Sequence, residues 1–270
     1  MTWIKHNILL SLVIGYLGLL ILAAIFYPIL SSVDPTAFNP NSLLLPHAPS
    51  SDHFFGTDEL NRDIFSRIMV GSRISLMVGF IAVGISSSLG ALIGLISGYF
   101  GGIIDEILMR FVDIMMAIPS IFLILTLQIM LEPRIETVMI VIGLTGWMGV
   151  SRLVRAEVLK IKELPFVIAA KARGVSELTI LKRYIFPQTI QPILVASTLG
   201  IGYAILAEAI LSFLGLGVQP PNPSWGNMLQ NSLSYMSDAP WMSIFPGIFI
   251  TLTVLSFNII GDYLQKYMLK

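Results

Sequence analysis

Six apolar runs constrain this chain more than any other feature. They lie at about residues 7–30, 74–98, 111–131, 138–154, 192–214 and 243–263. At 1.5 Å per helical residue, runs of about 20 residues match a hydrocarbon core of roughly 30 Å. Inside lipid the backbone must satisfy its own hydrogen bonds, which leaves a helix bundle or a closed barrel. The runs are continuous rather than alternating, which selects helices. Composition agrees: 55% of residues are hydrophobic and 12% charged, and mean hydropathy is +0.84. The expected fold class is an all-α membrane protein with six transmembrane helices.

The first run follows Lys5, as a signal peptide would, but no small-x-small cleavage site follows it, so it is read as a retained helix. Residues 1–73 then form an N-terminal transmembrane helix with an outer loop. Residues 74–270 form a core of five helices with a loop at about 157–188. Gly79, Gly84, Gly90 and Gly94 in the second span suit close helix packing.

Net charge is zero, so bulk charge points to no nucleic-acid partner, and the absence of cysteine excludes disulfides and thiolate chemistry. The distribution of cations carries more. With a cytoplasmic N-terminus, twelve lie on one side: Lys5, Arg110, Arg152, Arg155, Lys160, Lys162, Lys171, Arg173, Lys182, Arg183, Lys266 and Lys270. Four lie on the other: Arg62, Arg67, Arg73 and Arg134. The positive-inside bias places both termini and the 157–188 loop in the cytoplasm.

That loop reads as two short helices. Pro165 suits a first helical position and Gly174 a C-terminal stop. Ser176 can cap the second helix, Leu178, Leu181 and Ile185 share a face, and Pro187 ends it. Phe166, Val167, Ile168, Ala169 and Ala170 form an apolar knob among cations. Two roles fit: a helix lying on anionic lipid, or a helix docking into a cytoplasmic partner.

The stretch AAKARGVSELTILKRYIFPQ resembles the coupling loop of importer-type ABC permeases, Glu-Ala-Ala, three residues, Gly, nine residues, Ile-x-Leu-Pro. Ala169, Ala170, Gly174 and Pro187 match. Ile168 stands for the glutamate, Tyr184 for isoleucine and Phe186 for leucine. FGTDELNRDIFSRIMVGSRISL resembles the Gly-Thr-Asp-x-x-Gly-Arg-Asp signature of peptide and nickel importer permeases, with Asn61 for the glycine. LSFLGLGVQPPNPSWG and FNIIGD match their C-terminal segments. The chain thus resembles the C-type permease subunit of the dipeptide, oligopeptide and nickel ABC importers.

The resemblance implies a type I ABC importer permease fold with a cytoplasmic coupling helix, in a bacterial inner membrane. It implies a homologous second permease, two ATPase subunits and an extracytoplasmic binding protein. ATP and magnesium would sit in the partners, with no cofactor, metal or catalytic residue in this chain. Phe166, Ile168, Ala169, Ala170, Arg173, Gly174 and Pro187 would be the ATPase-coupling loop. The short N-terminal region leans toward the nickel or metallophore branch. The chain has no Gly-x-x-x-x-Gly-Lys-Ser/Thr phosphate loop and no His-Glu-x-x-His pair. An ion-coupled secondary transporter or channel is the alternative, and Glu208 is its one mid-span acid.

A charge at mid-bilayer costs about 2.5–3.5 kcal/mol, so Glu208 should face either the passage or a packed interface. Asp113 is expected to pair with Arg110, and Asp262 to make a helix-end or subunit contact. Met115 and Pro119 are further candidates for the translocation path, with Pro119 kinking the third span. Asp58, Glu59, Arg62, Asp63 and Arg67 form an outer-loop charge cluster that either braces the membrane surface or meets the binding protein. His47, Asp52 and His53 match no strong metal-ligand spacing. Trp225 is expected to anchor at the membrane interface.

Overall fold

The computed structural model describes residues 2–31, 35–36 and 45–268, with side chains from residue 8 to residue 267. The side chains of Lys5 and His6, and Lys270, lie outside the described residues. Among the described residues there are ten α-helices: α1 Thr2–Leu30, α2 Ile64–Phe100, α3 Gly102–Ala117, α4 Ser120–Met130, α5 Ile135–Ile161, α6 Pro165–Ala172, α7 Glu177–Ile180, α8 Phe186–Phe213, α9 Trp225–Ser232 and α10 Trp241–Met268. Five stretches are long and apolar enough to cross a membrane, and the bent pair α3–α4 makes a sixth.

The largest seam joins α2 to α5, and glycine makes it possible. Gly90, Gly94 and Gly98 recur every four residues, on one face of α2. A Cβ at Gly94 would lie 2.5 Å from the Ser151 carbonyl oxygen, and one at Gly90 2.7 Å from that of Trp147. Gly143 returns the arrangement from α5, where a Cβ would meet Ile85 at 2.8 Å. Gly79 instead faces Ile201 and Ile205 of α8. Gly84 does not pack as expected: its Cβ direction is open, and Gly98 takes the role in the repeat.

Span boundaries differ from the sequence expectation in informative ways. Asp63 accepts from the Ser66 amide at 2.7 Å and N-caps α2, so the helix starts ten residues before the apolar run and the 73/74 boundary falls inside it. Burial of Ser66, Arg67 and Ser72 against other elements explains why this polar turn is helical. The third span is not gently kinked at Pro119. It breaks by 84° between α3 and α4, with Ile118 and Pro119 in extended backbone between them. Pro187 does not end a helix either. Leu181–Ile185 form one π-helical turn, in which the Phe186 amide reaches the Leu181 carbonyl. The helix then runs on to Phe213, with Pro187 just past the π-helical turn, which accommodates the missing N–H.

The main core draws Leu17, Leu20 and Ala24 of α1 together with residues of α2, α4, α5, α8, α9 and α10. Trp225 belongs to that core and is not an interface anchor: it is fully buried. Ser224 and Asn227 cap α9 reciprocally, and Gly226 rests on the Ala209 backbone, where a Cβ would come within 2.7 Å. The short helix therefore dips back into the bundle. The Trp225 Nε1 donates to the Ile68 carbonyl at 3.3 Å.

Candidate functional site

Pro165 opens α6 as the sequence predicts. Its end is a Schellman motif: the Gly174 amide bonds the Lys171 carbonyl at 3.0 Å and the Val175 amide bonds that of Ala170 at 3.2 Å. Gly174 has φ +75°, with open space around it. Backbone conformation, not crowding, is what calls for glycine here. Ser176 sits at the next helix start, but its hydroxyl pairs with Thr179 at 2.8 Å and bonds no backbone amide.

One side of α6 anchors it. Val167 and Ala170 are buried with Val154, Val158 and Ile161 of α5, and with Ile180 and Ile185. The expected apolar face shifts: Leu178 is exposed and Ile180 is inside. The other side is open. Phe166, Ile168, Ala169 and Arg173 are exposed, and so are Gly174 and Pro187. Phe166 stacks on Tyr184 of the π-helical turn, centroids 6.5 Å apart. An aromatic pair thus ties α6 to the root of α8, at the position where the importer pattern has isoleucine. Ile168 stands on the exposed face, so replacing the pattern's glutamate makes that face more apolar.

Two salt links brace the same end. Arg155 of α5 holds Asp105 of α3 through two bonds, 2.6 and 2.5 Å, and Ser97 donates to the same carboxylate. Asp113 pairs with Arg152, not with Arg110. Both pairs join residues from separate spans, which helix spacing cannot reveal. Asp262 is exposed near the end of α10.

Beside the loop lies a trough. Its upper part, about 310 Å³, is walled by α2, α5 and α8, including Ser86, Ser87, Gly146, Gly149 and Tyr203. Its lower part, about 520 Å³, carries Glu157, Gln188, Gln191 and Gln265. Leu153, Ala196 and Leu199 line both parts. None of the three residues expected on the path borders it. Met115 packs with Val112, Trp147 and Met148, and Pro119 stands exposed at the α3–α4 break. Glu208 is fully buried. It accepts from Ser75 of α2 at 3.1 Å and Ser212 at 2.7 Å, with the Ser224 hydroxyl a third partner. Of its two expected places, the structure gives it the packed one, because serines from three elements close around it.

The outer cluster is likewise internal. Asp58 accepts from Arg62 Nε at 2.7 Å, meets Arg67 Nε at 3.3 Å, and takes the Leu60 and Arg62 amides. Asp58, Arg62 and Arg67 are all buried, so the cluster braces the fold. His53 Nδ1 lies 3.0 Å from Asp63. Asn61 has φ +60°, a left-handed residue at the place where the signature has glycine. The Thr57 carbonyl accepts from Trp241 Nε1 at 3.2 Å, which pins this turn to α10.

A bundle locked at one end, with an exposed helix and an open trough at the other, falls in the class of multi-pass transport permeases. Residues 90–270 match the family described as binding-protein-dependent transport system inner membrane component. The dipeptide transport system permease protein DppC of Alkalihalophilus pseudofirmus is 45% identical over 245 residues, 91% of this chain and 80% of that protein. The oligopeptide transport system permease protein OppC of Bacillus subtilis is 41% identical over 247 residues, 92% and 80% of the two chains. Among solved structures, the inward-facing MetNI methionine ABC transporter aligns with TM-score 0.58 at 16% identity, over 76% of this chain and 97% of that one. An amino acid ABC transporter aligns with TM-score 0.54 at 18% identity, over 75% and 92%. The chain belongs to the binding-protein-dependent inner membrane component family and is a C-type permease subunit of an ABC importer. The ion-coupled alternative has no support: Glu208, the acid expected at mid-span, lies near the C-terminal end of α8 and is sealed among serines.

Proposed function

We propose that this permease forms half of the translocation pathway of a peptide importer and that α6 is its joint to a separate ATPase. The reading is carried by 45% identity, across nearly the whole chain, to a dipeptide transport permease. The oligopeptide relative supports peptides over nickel or metal chelates. The α6 geometry supports docking over lying on lipid. The helix is anchored by two small or medium side chains and presents Phe166, Ile168 and Ala169 outward, beside the flat Schellman turn. Lipid binding needs a broad apolar face, whereas a short knob fits a protein groove.

The rest of the assembly follows from the family. A homologous permease completes the pathway, two ATPase subunits hold ATP and magnesium, and an extracytoplasmic binding protein delivers the cargo. The membrane is the bacterial inner membrane, with both termini and α6 in the cytoplasm, as the cation bias favours. ATP-driven closure of the ATPases moves α6, and the Phe166–Tyr184 stack passes that motion to α8. The test is uptake by the reconstituted complex, with dipeptides and nickel chelates offered separately. ATP-dependent dipeptide uptake is the expected result. Uptake without the ATPase, or of nickel chelates only, would overturn the reading.

A further inference from the structure

We infer that the trough between α5 and α8 is the inward half of the cargo passage and that it holds a peptide by its backbone, indifferent to side-chain charge. The inference rests on the peptide-importer reading above and adds the residues and chemistry that the cargo meets.

Gly149 is the first observation. A glycine inside a helix costs about 1 kcal/mol relative to alanine. At Gly90, Gly94 and Gly143 close helix contact explains the choice. At Gly149 a Cβ would meet nothing within 4 Å, although the residue lines the trough. Gly15, Gly18, Gly84 and Gly247 share that open direction, but of these five glycines Gly149 alone lines the trough, where its missing side chain keeps the space clear.

The lining says what that something is. Lipid tails would be met by leucine and isoleucine, as on the outward faces of α1 and α3, where Leu12, Leu19, Ile107 and Ile114 are exposed. The trough sets neutral polar groups among its apolar walls, which include Ile142, Leu153 and Leu199. Ser87 bonds Ser197 at 2.8 Å across α2 and α8, and the Tyr203 hydroxyl meets Ser120 at 2.9 Å. Lower down, Gln188, Gln191 and Gln265 present amides that make no side-chain hydrogen bond among the described residues. Hydroxyls and amides donate and accept, as peptide groups do. The one formal charge is Glu157, and Lys160 holds it at 2.8 Å. Volume and polarity both increase toward the α6 end, as suits an exit. A groove seating a partner helix would not need unpaired amides there.

A charge placed at the open Gly149 should therefore create a selectivity that the wild type lacks. The full importer would be reconstituted with Gly149→Asp, Gly149→Lys or the uncharged Gly149→Asn, which is isosteric with the Asp variant. Uptake of dialanine, dilysine and diglutamate would be measured, each relative to the Asn variant with the same peptide. That ratio cancels the binding protein's own preference. The Asp variant should slow diglutamate about tenfold more than dilysine, and the Lys variant should reverse the order. Equal factors for all three peptides would overturn the inference. So would loss of permease pairing in the Asn variant, which would mean that a helix fills the trough. Failure of the wild-type importer to take up any of the three would overturn the peptide reading, and this inference with it.

Discussion

The two ends of the bundle are built from the same kinds of residue to opposite effect. At the outer end most polar groups are buried and partnered: Glu208 among serines, Asp58 between two arginines, and Thr57 under Trp241. At the α6 end the main charged pairs lie at or near the surface, the trough is open, and the docking helix stands on Val167 and Ala170. In lipid a buried polar network is costly to break, because its members find no water. The outer end is therefore held by buried polar contacts, while the α6 end is held by the apolar α2–α5 seam and by salt links near the surface. An importer needs this division if force enters at one end and the bundle tilts without coming apart.

Trp225 is the largest side chain holding the outer block together. Trp225→Ala removes the largest buried side chain of the outer block and should cost about 3–5 kcal/mol, read as a large fall in detergent-solubilised Tm. A small fall would mean that α9 is not part of the block. Glu208→Gln is the next test. The amide keeps one acceptor but replaces the other with an NH2 donor, so a serine hydroxyl that now donates must turn to accept, which should cost about 1–3 kcal/mol. Unchanged Tm and unchanged uptake would make Glu208 a passenger.

How much of this was legible in the sequence differs between the two ends. The spans, Pro165 at the start of α6 and Gly174 at its end were readable because each rests on local chemistry: apolar length, a fixed φ, a positive φ. Even the departure at Asn61 is local, since asparagine tolerates the left-handed backbone that glycine supplies. The outer block was not readable, because it is made by contacts distant in sequence. Nothing in QPPNPSWG says that α9 turns inward; that follows from Gly226 meeting Ala209. Gly84 and Gly98 look alike in sequence, and only the rotation of α2 against α5 separates them. The Asp105–Arg155 pair spans 50 residues, beyond any helical repeat. Pro187 misled because a π-helical turn absorbs it.

At the α6 end the expected pattern is inverted, with function lost and stability kept. Gly174→Leu forces a side chain into φ +75°, a penalty of roughly 1–2 kcal/mol confined to the loop. Bundle Tm should hardly move, while ATP hydrolysis uncouples from uptake or ATPase association weakens. Wild-type association together with wild-type uptake would remove the docking role. Phe166→Ala is milder. It removes an exposed ring and its stack on Tyr184, so Tm should stay within about 2 °C of wild type. ATPase affinity should fall, and hydrolysis should be less tightly linked to uptake.

The smallest effect sharpens the comparison from the outer side. Glu59 Oε1 accepts from Arg62 at 3.2 Å, but Oε2 is buried without a partner. Burial first, and the neighbouring Asp58 second, push its carboxyl above the usual carboxylate range. The folded state therefore holds this proton more tightly than the unfolded state does. The stability it contributes is present below the ordinary glutamate range and is lost as pH rises through the raised value. At neutral pH the ionised group is a small net cost to a block in which Asn61 Oδ1 is also buried without a partner. Glu59→Gln removes that cost while keeping an acceptor for Arg62, so Tm at neutral pH should rise by no more than about 2 °C. The gap between variant and wild type should narrow and then reverse as pH falls below the range where Glu59 takes up its proton. A constant gap across that range would place Glu59 in water, outside the block that Asp58, Arg62 and Arg67 form.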